Sequence, residues 1–86
     1  MSWENEVFGR SVWGVPVYVR IGSGMTETIR GPEEGLGYLL NRWPAEHGKH
    51  YGLAKLACVG ALVNLGSLKI AREAFKAAAI EVNLLA

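Results

Sequence analysis

The sequence predicts an α+β fold in which an N-terminal β-hairpin packs on three helices (ββααα). Three observations predict it. Val15, Val17, Val19 and Ile21 alternate with Pro16, Tyr18 and Arg20; Pro32 and Pro44 bracket a stretch of helical spacing; and Gly66-Ser67 divides two longer apolar stretches of that same spacing. At 86 residues the chain suits one small domain, and a domain of that size buries only about 60% of its unfolded surface, so its core is marginal.

Residues 1–12, with isolated Trp3, Val7 and Phe8, are expected to form a partly ordered tail docked by its aromatics, and residues 13–86 a single domain. The alternating valines fit a strand with one buried face. Pro16 cannot donate to a ladder and belongs near the strand start or on an edge. Gly22-Ser23-Gly24 then turns the chain into Met25-Thr26-Glu27-Thr28-Ile29-Arg30. Gly24 is expected to supply the positive φ of a three-residue loop. Pairing Ile21 with Met25 sets Val17 opposite Ile29 on the buried face and Tyr18 opposite Thr28 on the other, whereas a one-residue slip would mix the faces.

Gly31-Pro32-Glu33-Glu34 reads as a helix start: proline at the first helical position gives up no useful N–H, and two acids suit the positive end of the dipole. Leu36, Leu39, Leu40 and Trp43 recur at helical spacing, and Pro44 stops the helix at or just before Trp43. The next helix is expected from about Lys49 to Leu65. Tyr51, Ala54, Cys58, Ala61, Leu62 and Leu65 form one stripe, and Gly52, Leu56, Val59, Gly60 and Val63 a second. A helix apolar nearly all round is a central, buried one. Gly66 is placed as a left-handed cap and Ser67 as the N-cap of the last helix. In that helix Leu68, Ala71, Phe75, Ala78, Ala79 and Val82 face one way, and Ile70, Ala74, Ala77 and Leu84 offer a second strip.

Composition narrows the function. Hydrophobic residues make up 50% of the chain and the net charge is +1, too small to argue for a polyanion partner. The charge is uneven, about −2 over residues 1–46 and about +3 over 47–86. One cysteine cannot form an internal disulfide, and the start lacks the basic and apolar regions of a signal peptide, so a cytoplasmic location is expected. The longest apolar run, Leu56 to Val63, is far short of the roughly 20 residues that span a bilayer, so no membrane partner is expected.

No set of residues assembles a recognisable catalytic centre, and no cofactor motif is present. Cys58 with His47 or His50 would be a thiolate–imidazole pair, but Cys58 sits on the core stripe. Those three residues match no closed zinc pattern, and the chain has no Asp. Gly22-Ser23-Gly24 lacks the Gly-Lys-Ser/Thr of a phosphate loop and precedes a strand. Lys69, Arg72 and Lys76 share a face of the last helix and, with Lys55, Lys49 and Arg42, could hold an anion or partner. Arg72 also borders the apolar stripe, within reach of carboxylates such as Glu33 and Glu34.

Pro16-Val17, Ile29-Arg30-Gly31-Pro32-Glu33, Leu39, Trp43-Pro44, Gly48, Tyr51, Ala54, Cys58-Val59-Gly60-Ala61-Leu62 and Ala71-Arg72-Glu73-Ala74-Phe75 occur in an order and spacing that resembles domain-of-unknown-function family 982, small bacterial proteins. The resemblance spans about residues 13–82 and implies a ββααα domain with no established activity, cofactor or catalytic residue. Where that pattern favours alanine, this chain has Gly35, expected to weaken the first helix. A two-stranded hairpin alone is marginal and has two open edges. The expected state is therefore a homodimer, joined by hairpin edges into a four-stranded sheet or by the second strip of the last helix. The expected function is that of a non-enzymatic accessory or regulatory module with an unidentified protein partner. The alternative is anion or nucleic-acid binding through Lys69, Arg72 and Lys76, with nucleic acid disfavoured by the charge.

Overall fold

A computed structural model describes residues 12–45, 47–63 and 66–86. The order is β1 (Val17–Val19), β2 (Glu27–Ile29), α1 (Pro32–Asn41), α2 (Lys49–Leu62) and α3 (Leu68–Glu81). The expected tail, with Trp3, Val7 and Phe8, lies outside the described residues, as do Asn64 and Leu65.

The hairpin has the expected register, Val17 opposite Ile29 and Tyr18 opposite Thr28, with Val19 opposite Glu27. Its strands are shorter than the alternation suggested. Val17, Val19 and Ile29 enter the core, whereas Val15, Ile21 and Met25 stay exposed. The left-handed turn residue is Gly22 (φ 58), not Gly24. Gly24 instead donates its N–H to the Ile21 carbonyl at 3.0 Å, which closes a turn with the positive φ at its second position.

The open-edge expectation needs correction for β1. After α3 the chain reverses at Asn83 (φ 64), and Leu85 bridges antiparallel to Val19. Arg20 N–H donates to the Leu84 carbonyl at 2.8 Å and Ala86 N–H to that of Tyr18 at 2.9 Å. The C-terminal residues thus satisfy the outer side of β1. Leu84, expected on the second strip of the last helix, is instead buried beyond the helix end.

Pro32 opens α1 with Glu33 and Glu34 in its first turn, and the Glu34 carboxylate accepts the Arg30 N–H at 2.8 Å. The helix stops at Asn41, as Pro44 requires. Tyr38 and Leu39 are buried, while Leu40 is 58% exposed, a correction to its place in the expected core stripe. At Gly35 an added Cβ would meet the Phe75 and Trp13 rings at 3.3 and 3.4 Å, so the glycine that costs helix propensity lets two aromatics close on α1.

Helix α2 starts from Gly48, which offers no side chain to cap it. The cap arrives from the far end of α3, where Glu81 Oε1 accepts the His50 N–H at 2.9 Å. A Cβ at Gly48 would collide with that carboxylate, which makes glycine the fitting residue there. A carboxylate at a helix N-terminus also opposes the helix dipole favourably. The helix ends at Leu62, before the expected Leu65, and Gly66 is not left-handed. Ser67 caps α3 as expected, its Oγ accepting from Lys69 and Ile70 N–H at 3.1 and 3.2 Å.

The core is built around an aromatic chain. Phe75 is fully buried, with its ring centroid 5.8 Å from that of Trp13 and 5.7 Å from that of Trp43. Trp43 also packs edge-on to Tyr38 at 6.1 Å and against Tyr51 at the same separation. The Tyr51 hydroxyl donates to the Leu39 carbonyl at 2.8 Å, tying α2 to α1. Ala54, Cys58 and Ala61 of α2 meet Ala71, Ala78 and Ala79 of α3, small residues that let the two helices approach closely.

Candidate functional site

The expected basic face proves to be only partly free. Arg72 Nε donates to the Val15 carbonyl at 2.5 Å and Nη2 to that of Pro16 at 3.3 Å, with Glu73 at 3.3 Å from Nη1. The guanidinium thus pins α3 to the chain entering β1. Its partners are backbone carbonyls and Glu73, whereas Glu34 pairs with Arg30. Lys69 and Lys76 make no ion pair among the described residues, and Lys69 lines a shallow cleft with Val12, Trp13 and Arg72. Arg42, further along the suggested patch, is engaged by Glu27 through two contacts, 2.8 and 2.5 Å. Hydrogen bonding to Glu27 holds the Arg42 guanidinium above its ordinary value. Beneath it, burial raises the Tyr38 phenol, aided by the Glu27 charge and opposed by that of Arg42.

The thiol and the imidazoles do not come together. Cys58 is fully buried, while His47 is exposed and stacks on Tyr51 with ring centroids 3.8 Å apart. His50 precedes Cys58 by eight residues, about 12 Å along the helix axis. Burial pushes the Cys58 thiol up to about 11, so at neutral pH it is protonated and inert. Thiol reagents are therefore expected to label Cys58 only on unfolding, and labelling of the native protein at the rate of a free thiol would contradict the buried placement. Because the folded-state value lies above the ordinary 9.0, this group contributes stability that is complete below pH 9 and lost as pH rises towards about 11. Among the described residues no cluster of three His, Cys, Asp or Glu side chains could hold a metal ion, and no helix is long and apolar enough to cross a membrane.

The most distinctive surface is apolar. Helix α2 is not buried all round: Ala54, Cys58 and Ala61 face the core, but the opposite face exposes Leu56 (73%), Leu53 (54%) and Val59 (43%). Those residues and Gly52 run beside Leu36 and Leu40 of α1, forming an open groove of about 670 Å³ edged by Lys49 and Lys55. Lys55 turns its ammonium over the Tyr51 ring, 4.8 Å from the centroid, and leaves its aliphatic stem to the groove. The second stripe of the sequence is therefore real, but among the described residues nothing covers it.

Fold and surface together define a small ββααα domain that presents an apolar helix face. The chain belongs to the family described as protein of unknown function (DUF982), whose pattern matches residues 15–86. It is also similar to the Agrobacterium tumefaciens protein Atu1219, solved by NMR, with a TM-score of 0.75 and 27% identity over 91% of this chain and 78% of that one. No curated protein matches the chain. Neither description names an activity.

Proposed function

We propose that this protein is a non-enzymatic accessory or regulatory module that acts through protein contacts, with the α1/α2 groove as its contact surface. The observation that carries this reading is the placement of Leu40, Leu53, Leu56 and Val59 on one open face. Contiguous exposed apolar surface of a few hundred Å² marks interaction sites on soluble chains. We place the module in the cytoplasm, where its single cysteine has no oxidising partner to meet. A photo-crosslinking residue at Leu56 is expected to give protein adducts in cells that express the chain, and one at exposed Ile80 on α3 to give few. Equal yields at both positions, or none at Leu56, would contradict the reading.

The alternative, anion or nucleic-acid binding through Lys69, Arg72 and Lys76, has weaker support. Arg72 spends its donors on Val15, Pro16 and Glu73, which leaves two lysines to attract a polyanion. That alternative requires affinity that falls steeply with salt.

A further inference from the structure

The groove has a polarity that constrains what fits it. At one end lies Lys49, the first residue of α2, beside Leu40 near the end of α1. At the other, Glu33 sits on the same side of α1 as Leu36 and Leu40, one turn before Leu36. Both charged residues are exposed, and neither forms an ion pair among the described residues. Between them the lining is Leu36, Leu40, Gly52, Leu53, Leu56 and Val59, with Lys55 along one edge, its ammonium turned towards Tyr51. The surface is thus an apolar strip with a base at one end and an acid at the other, the layout of an interface core with a charged rim.

We propose that a second copy of this chain covers the groove, related by a two-fold axis that crosses the helices so that α2 lies antiparallel on its counterpart. This inference rests on the protein-contact reading above. The antiparallel arrangement brings the Lys49 end of each copy to the Glu33 end of the other, a self-complementary match that an isologous contact requires. A two-fold axis along the helices would instead set each Lys49 over the Leu40 end of its partner, where no acid waits. Fourteen residues make α2 about 21 Å long, and two adjacent helices are about 20 Å wide. That outline of about 420 Å² is near half of the ~800 Å² that each partner gives to a standard interface, so the contact is a weak, reversible one. Its occupation would bury Leu53, Leu56 and Val59 and make α2 the central helix that its two apolar stripes imply.

Sedimentation velocity on the purified chain tests this directly. The wild type is expected to dimerise with a Kd in the micromolar range, and Leu56→Glu to weaken that association by about 30-fold or more. Leu56 lies outside the core, so the variant should keep the wild-type circular dichroism spectrum. Lys49→Glu and Glu33→Lys are each expected to weaken the dimer, and the doubly exchanged protein to regain it to within about threefold. That restoration is specific to a contact between copies, because the two residues lie at opposite ends of the groove within one. A wild type that stays monomeric to roughly 200 μM, or a dimer that Leu56→Glu leaves intact, would overturn the proposal. If the monomeric protein still gave adducts to other proteins from position 56, the second copy would be excluded and the protein-contact reading would stand. Absence of any adduct would remove both.

Discussion

Replacing Phe75 by alanine is expected to cost about 3–5 kcal/mol, the range for removing a large buried aromatic. Its ring touches the two tryptophans that bring the segment before β1 and the α1–α2 connection into one core, and the face of α1 at Gly35 closes on it. A cavity there borders four segments, none of which can collapse inward without giving up contacts elsewhere. Domains of this size hold only about 5–15 kcal/mol in all, and small ones lie at the lower end. The melting temperature should therefore fall by roughly 12–40 °C, at about 4–8 °C per kcal/mol. Thermal unfolding followed by circular dichroism checks this, with Ile80→Ala on the exposed side of α3 as a control expected to shift the midpoint little. A loss below about 5 °C would show that the aromatic chain is not the centre of the fold.

Arg72→Ala is the second large effect, about 2–3 kcal/mol. A charged donor gives each carbonyl a hydrogen bond of about 1.5–3 kcal/mol, but the side chain is 21% exposed and partly screened, so the two bonds do not sum in full. The chain at Val15 and Pro16 would lose its tether to α3, and amides of β1 should exchange with solvent faster than those of α2. Arg72→Lys should recover less than half of the loss. Lysine carries the charge but not the planar fork that reaches two successive carbonyls. Full recovery by lysine would mean that charge alone matters at this position and would return the basic face to consideration as a ligand site.

Much of the fold was legible because its signals are local. The Val17–Ile29 register follows from turn length and side-chain alternation, the limits of α1 from Pro32 and Pro44, and the start of α3 from Ser67. What escaped depends on partners distant in the chain. Trp13 is in step with the alternating valines, but Val15 between them is exposed, so spacing alone does not announce that Trp13 is buried. Leu84 continues a helical spacing, so nothing local reveals that Asn83 breaks it and returns the chain to β1. The donors of Arg72 find backbone carbonyls 56 and 57 residues away, which carry no side-chain signature at all. The candidate surface was half legible. Two apolar stripes on α2 could be read from spacing, but which of them a single copy covers is decided by where α3 packs.

The bridge between Leu85 and Val19 bears on how the molecule comes to be folded. Helices α2 and α3 are neighbours in sequence and make the most extensive packing in the domain, so they can assemble early from short-range encounters. The hairpin cannot be completed in the same way. Its outer hydrogen bonds join Arg20 to Leu84 and Tyr18 to Ala86, far apart in sequence, and closing so long a loop costs entropy before any bond repays it. During synthesis β1 emerges before Leu84–Ala86 and lacks that neighbour until they follow, leaving an unpaired strand edge for that interval. Docking of Leu84–Ala86 on β1 should accordingly be a late event, visible in pulsed hydrogen exchange as protection at the Arg20 and Ala86 amides that lags behind protection in α2.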